Sequence, residues 1–253
     1  MSQDSQLSLT GKIIVYLRNI LALFLLIIFA IFAIIPIIIV YITGWQPPLS
    51  NYVRYAIKTL MFILGLKLEL VNFNKEIFKK KQWIMIGNHT SFLDPVILFS
   101  VVPGTLRFFY KSGVDKVPII SWAFKVSKYI SVDRDNPRKA EEAVRRAINI
   151  IKEEKADSIG IFPEGTRSRD GKIKRFKRGA FVLAKEHNLP ILPVYFKGFY
   201  YAMPKGRKLI YPSKLIIEFL EPISEEEVER MSDKELRDLA YDIYIKKEKE
   251  SLK

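Results

Sequence analysis

At 253 residues and 49% hydrophobic content the chain can bury one sizeable α/β core plus an accessory segment, but not two large domains. It has no cysteine and only two histidines, His89 and His187. That excludes disulfides, thiol nucleophiles and Cys- or multi-His-ligated metals, and leaves histidine, carboxylates, hydroxyls and bases as the available chemistry. A formal net charge of +14 calls for an anionic partner: nucleic acid, an anionic membrane surface or a phosphorylated substrate.

Residues Ile20 to Thr43 carry no charge and would form a helix about 36 Å long, comparable with the hydrocarbon thickness of a bilayer. Gly44, Trp45, Gln46, Pro47 and Pro48 follow in place of a small-residue cleavage site, so the segment reads as a retained membrane element rather than a signal peptide. Tyr52 to Leu66 then reads as an amphipathic helix. Val53, Ala56, Ile57, Leu60, Met61, Ile63 and Leu64 share one face, with Arg54 and Lys58 elsewhere. Lys12 and Arg18 before the apolar run and Arg54, Lys58 and Lys67 after it balance the positive-inside rule. Two readings stay open: a hairpin in one leaflet, bent at Pro36, and a single tilted span.

At Leu66 the pattern changes to the alternation LKLELVNF, a strand signal, and the expected division is 1–65 membrane helices and 66–253 α/β domain. Further strand runs are 83–87, 106–110, 129–132, 158–162, 191–196 and 215–219, with helices over Arg138 to Glu154 and Gly179 to His187. Strands alternating with helices predict a mostly parallel sheet flanked by helices. Glu225 to Glu250 reads as a charged helix or helix pair opening with a capping box, Ser224 and Glu227.

Two strand-to-helix turns carry the chemistry. In Asn88-His89-Thr90-Ser91-Phe92-Leu93-Asp94-Pro95, His89 and Asp94 lie about 140° apart on a regular helix, so they meet only if the chain between them turns. Asp94 also fits a structural role, as a capping-box partner of Ser91 or as an N-cap before Pro95, and His89 fits a buried structural histidine. The second turn is Phe162-Pro163-Glu164-Gly165-Thr166-Arg167-Ser168, where Arg167 offers an anion-binding fork. Between Arg167 and Lys185 the chain places Arg169, Lys172, Lys174, Arg175, Lys177 and Arg178 against Asp170 alone. Such a run suits a solvated face or an anionic membrane surface.

NH-x4-D followed by FPEGTRS resembles the glycerolipid acyltransferases, above all the 1-acylglycerol-3-phosphate (lysophosphatidic acid) acyltransferases. The resemblance extends through Lys111, Pro118 and Val132-Asp133-Arg134 and through Ile191-Leu192-Pro193-Val194, covering about residues 67–220. It departs from the family pattern at Ser121 and Lys128, where glycines are common.

The resemblance implies transfer of a fatty acyl group from an acyl carrier protein or coenzyme A thioester to the sn-2 hydroxyl of lysophosphatidic acid. The product would be phosphatidic acid, in phospholipid biosynthesis at the cytoplasmic face of a bacterial membrane. It implies His89 as general base and Asp94 as its orienting partner. Lys111, Arg134, Glu164, Gly165, Thr166 and Arg167 would take the acceptor, with Asn88, Ser91 and Pro193 around the pocket.

Neutral imidazole can take a hydroxyl proton at physiological pH, and a carboxylate on the other ring nitrogen fixes its tautomer. No G-x-S-x-G elbow occurs, which fits direct transfer without an acyl-enzyme, and backbone N–H groups near Gly165 are the expected oxyanion donors. No cofactor or metal is implied. The alternatives are acylation of glycerol 3-phosphate or another lysophospholipid, and a noncatalytic lipid-binding scaffold. A nucleic-acid partner is not expected, because no helix-turn-helix, zinc finger or RNA motif accompanies the charge.

Overall fold

The computed structural model describes residues 7–45, 47–133, 142–143, 145–146 and 158–251. Among these, seven strands form one sheet: β1 (Leu66–Val71), β2 (Trp83–Gly87), β3 (Leu106–Lys111), β4 (Ile130–Val132), β5 (Ser158–Ile161), β6 (Ile191–Lys197) and β7 (Ser213–Phe219). Their order is β1-β7-β6-β2-β5-β3-β4, and only the β6–β7 pair is antiparallel. The mostly parallel sheet expected from the sequence is the one formed.

Every residue of β2 is buried, as is β6 through Phe196, because both faces of the sheet are covered; such strands read as unbroken apolar runs. Their alternate residues serve different cores. Met85, Leu192 and Val194 face one, and Ile84, Ile86 and Ile191 the other.

The described helices are α1 (Leu9–Phe32), α2 (Ile34–Thr43), α3 (Pro47–Leu64), α4 (Ile77–Lys80), α5 (Leu93–Val101), α6 (Pro118–Val126), α7 (Gly179–His187), α8 (Phe199–Ala202), α9 (Glu225–Arg230) and α10 (Asp233–Ser251). The helix expected over Arg138 to Glu154 lies mostly outside the described residues; 142–143 and 145–146 are helical.

The apolar N-terminal stretch is interrupted at Ala33, one turn before Pro36. Proline has no N–H for the Phe32 carbonyl, and the ladder resumes with Ile37 N–H on Ala33 O at 3.0 Å. The interruption expected from Pro36 is thus in place, with Ala33 still in the right-handed helical region. Large apolar side chains along α1 and α2, among them Leu17, Ile20, Phe24, Ile35 and Ile42, remain exposed, and Leu9–Thr43 is long and apolar enough to cross a membrane.

α3 starts five residues earlier than the amphipathic pattern suggested and returns along α1 and α2. Its Ile57, Met61 and Leu64 enter the same core as β2 and α5, so the junction near residue 65 separates elements that share one core. Polar ties fix the arrangement. The Asn19 side chain donates to Ile210 O at 2.8 Å and accepts from Ile210 N–H at 2.9 Å, and Tyr52 donates to Phe29 O at 2.7 Å. Arg54, which the sequence pattern left on the polar side, donates to the carbonyls of Phe99, Val102 and Gly104 at 3.2, 2.7 and 2.6 Å. The last carbonyls of a helix have no intrahelical donor, and one guanidinium fork serves three at the end of α5.

At the C-terminus Ser224 and Glu227 form the expected capping box. The chain then breaks at Met231–Ser232 and recaps reciprocally through Ser232 and Glu235, making a helix pair.

Candidate active site

β2 and β5 are adjacent and parallel, paired at Ile86 and Ile161, so the turns that follow them leave the same carboxyl edge side by side. This is where open α/β sheets form binding crevices. Asn88 extends the sheet by one residue: its amide donates to Phe196 O at 3.0 Å and accepts from Phe196 N–H at 2.8 Å, a match that requires one donor and one acceptor.

The chain between His89 and Asp94 turns sharply enough to bring the two together, with His89 Nδ1 2.9 Å from Asp94 Oδ2. The same oxygen accepts the Thr90 and Ser91 N–H groups at 2.7 and 2.9 Å. Capping and orientation of the imidazole are thus two uses of one carboxylate. Asp94 lies in the first turn of α5 rather than at the N-cap, which is Phe92. Burial pushes its carboxyl upward, against the His89 ring and the two N–H groups, which favour the ionised form.

With Asp94 ionised, Nδ1 carries the hydrogen and Nε2 is left as the acceptor nitrogen. The imidazole stacks on Phe162, centroids 4.2 Å apart at 22°.

The second turn holds His89 by its backbone. His89 N–H donates to Glu164 Oε1 at 2.8 Å, and His89 O accepts from Ser168 N–H at 2.7 Å. Glu164 is buried, and its Oε2 takes the Lys174 N–H at 3.3 Å, so both carboxylate oxygens accept from backbone. Burial drives the Glu164 carboxyl up to about 7, against those two N–H groups and the Lys174 charge.

Gly165 adopts φ +73°, and a β-carbon there would meet the Lys177 side chain at 3.1 Å. Its own N–H closes the turn onto Phe162 O at 2.9 Å, so it is not the oxyanion donor expected near this residue. Thr166 is exposed on the turn and Arg167 is half-buried.

A residue outside the motifs joins them. Lys205 Nζ donates to Thr166 Oγ1 at 3.0 Å and to Arg167 O at 3.4 Å. Its loop is bound to the first turn by a Ser91–Pro204 bridge and by Ser91 Oγ donating to Met203 O at 2.8 Å. Desolvation and then the charges of Arg169, Lys174 and Arg167 hold the Lys205 ammonium below its usual value. In sequence, Pro204-Lys205-Gly206 signals only a turn.

Of the other residues expected here, Lys111 ends β3 at the same sheet edge, next to β5. Arg134 lies outside the described residues. Pro193 is buried within β6 opposite Ile86. Its carbonyl accepts from Leu220 N–H at 2.9 Å just past β7, where its missing N–H costs no ladder bond.

Beside the His89–Asp94 turn opens an apolar cavity of about 510 Å³. Phe92, Leu93 and Met203 form its wall near the turn, and Ile20, Leu23 and Met61 of α1 and α3 its far side.

The Acyltransferase family profile matches residues 70–197, a range that takes in both turns. The chain belongs to the acyltransferase family. This acyltransferase is 32% identical over 170 residues to a 1-acyl-sn-glycerol-3-phosphate acyltransferase of Limnanthes douglasii, covering 66% of this chain and 59% of that protein. The chain thus spans less than two thirds of that relative's length. The Saccharomyces cerevisiae protein of the same name is 28% identical over 224 residues, 87% of this chain and 73% of its own. The crystal structure of the 1-acyl-sn-glycerophosphate (LPA) acyltransferase PlsC from Thermotoga maritima shares the fold at a TM-score of 0.75 and 25% identity. That match covers 92% of this acyltransferase and 94% of the other chain.

Proposed function

We propose that the protein is a 1-acylglycerol-3-phosphate O-acyltransferase, transferring an acyl group from an acyl carrier protein or coenzyme A thioester to the sn-2 hydroxyl of lysophosphatidic acid. The observation that carries this reading is the His89–Asp94 pair at 2.9 Å, set between an apolar cavity of about 510 Å³ and a cationic turn. A lysophospholipid has the complementary polarity: an acyl chain for the cavity, a phosphate for the cations, and a hydroxyl between them.

In this mechanism His89 Nε2 takes the hydroxyl proton as the oxygen attacks the thioester carbonyl. The tetrahedral intermediate collapses with cleavage of the C–S bond, and the imidazolium returns the proton to the leaving thiolate. Asp94 holds the tautomer and stabilises the imidazolium. Glu164 and Phe162 position the ring from behind. Arg167 supplies the planar fork for the acceptor phosphate, with Lys205 beside it. Thr166 and Arg167, whose backbone N–H groups have no acceptor among the described residues, are the candidate donors for the oxyanion on the second turn.

In this reading α1 and α2 lie in one leaflet with α3 returning beside them. Asn19 ties α1 to Ile210, and Val40 of α2 packs with Val126 of α6, so both ends of the apolar stretch are attached to the charged domain. An independent span across the bilayer would have to release one end.

The test is acyl transfer from a long-chain acyl thioester to lysophosphatidic acid in detergent or liposomes. Wild type is expected to form phosphatidic acid, and His89→Ala to lose about 10²–10⁴-fold in rate with an unchanged melting temperature. No product from folded wild type with this acceptor, but product with glycerol 3-phosphate, would replace the substrate and keep the chemistry. Equal rates for wild type and His89→Ala would sink the mechanism.

A further inference from the structure

A second cavity, of about 520 Å³, shares no lining residue with the catalytic pair or the apolar cavity beside it. It lies where the end of α2 meets α6. Val40, Tyr41 and Gly44 form one side; Trp122, Lys125, Val126 and Lys128 form the other. Its floor is apolar and packed, since Val40 is buried with Ile37 and Leu49 against Ala123 and Val126. Its rim is aromatic and cationic. The Tyr41 and Trp122 rings lie 6.5 Å apart, both exposed, and Lys125 and Lys128 are exposed beside them. No carboxylate is among the lining residues.

The bland account of the two lysines is that cations favour the C-terminal end of α6. It fits Lys125 and does not fit Lys128. Lys128 follows the helix in the left-handed region at φ +55°, where glycine closes a helix without strain and a long side chain does not. The backbone thus sets a second cation, beside Lys125, at the mouth of the cleft.

Along the chain the cleft is flanked by further exposed apolar side chains, Ile42 and Trp45 past Tyr41 and Val117 and Ile120 before Trp122. Exposed Trp and Tyr rings between apolar side chains and lysines mark the level of lipid headgroups.

We propose that this cleft binds the headgroup of an anionic phospholipid of the surrounding bilayer, with Lys125 and Lys128 on its phosphate and Tyr41 and Trp122 flanking the glycerol region. The proposal rests on the reading that α1 and α2 lie in the membrane, and it is independent of acyl transfer. It adds α6 to the membrane-facing surface and sets the α2–α3 turn at headgroup depth.

The test uses the full chain in detergent micelles doped with brominated phosphatidylglycerol or brominated phosphatidylcholine. A Trp45→Phe background leaves Trp122 as the exposed indole, since Trp83 is buried. Each lysine near an anionic headgroup corresponds to about fivefold in binding, so quenching by the anionic lipid is expected at a roughly 20- to 30-fold lower mole fraction than by the zwitterionic one. Lys125→Gln combined with Lys128→Gly should abolish that preference while the melting temperature holds, because glycine relieves the backbone at 128. Soluble glycerol 3-phosphate should not reverse the quenching; reversal would make the ligand a free phosphate and overturn the headgroup assignment. Equal quenching by the two lipids, or a preference surviving in the double variant, would overturn the site. No quenching by either lipid would overturn the membrane reading with it, while leaving the His89 assay to decide the chemistry.

Discussion

Glu164→Gln tests how the two turns are joined. The Glu164 carboxyl is raised from the ordinary 4.5 to about 7 because it is buried behind His89. Between those values the folded protein retains a proton that the unfolded chain has released, so stability falls as pH rises through this window, by about 3 kcal/mol in all. Glutamine mimics the protonated acid and does not titrate. Its other effects, chiefly an amide NH₂ placed against the Lys174 N–H, are the same at every pH. The difference in melting temperature, variant minus wild type, should therefore grow by ~6–12 °C between pH 4.5 and pH 8, taking ~2–4 °C per kcal/mol for a chain of this size. Thermal melts of both proteins in one detergent across that range measure it. A difference that stays constant with pH would refute the argument, because it would mean that Glu164 is ionised at no cost in the fold.

Lys205→Gln should raise KM for lysophosphatidic acid by about 10–100-fold, the worth of a charge-assisted bond to phosphate, and leave transfer to a phosphate-free monoacylglycerol unchanged. Equal losses on both acceptors would make Lys205 structural. Asn19→Leu removes two bonds to Ile210, each worth about 1 kcal/mol, and should lower the melting temperature by ~4–8 °C; no change would mean that α1 is not held there. In Gly160→Ala the new methyl meets the Phe108 ring, which stacks on Phe162 as Phe162 does on His89. A stability loss of about 1–3 kcal/mol with a lower kcat is expected. Lost stability with unchanged kcat would show that the ring stack does not position the imidazole.

The strands were legible because covered parallel strands write themselves as apolar runs, and WIMIG and ILPVYF stand out for that reason. Their order was not, since nothing local states that β2 lies between β6 and β5. The His89–Asp94 pair could be nominated, but spacing alone could not choose between a cap and an orienting carboxylate, because Asp94 Oδ2 meets both the imidazole and two backbone N–H groups. Glu164 illustrates the same limit: residue type does not say whether a carboxylate turns outward to a ligand or inward to the backbone of a segment 75 residues away. Lys205 was not legible, because it lies outside the basic run after Arg167 and its loop is brought to the site by long-range contacts, the bridge at Ser91 and its own bonds to the second turn. The Ser232–Glu235 box was written in the sequence like Ser224–Glu227, but inside a uniformly charged run.

Arg54 clasps the end of the helix whose first turn carries Asp94, and it does so from the helix that doubles back along the apolar hairpin. Placed against a lipid sheet, such a joint acts as a fixed stand-off. If the hairpin lies in one leaflet as proposed, the imidazole could not rise or sink without dragging it through the lipid, and its elevation would be a property of the protein rather than of each encounter. A lipid anchored by its own tail would then present its hydroxyl at one height, and the protein would select among headgroups by altitude before any contact is made.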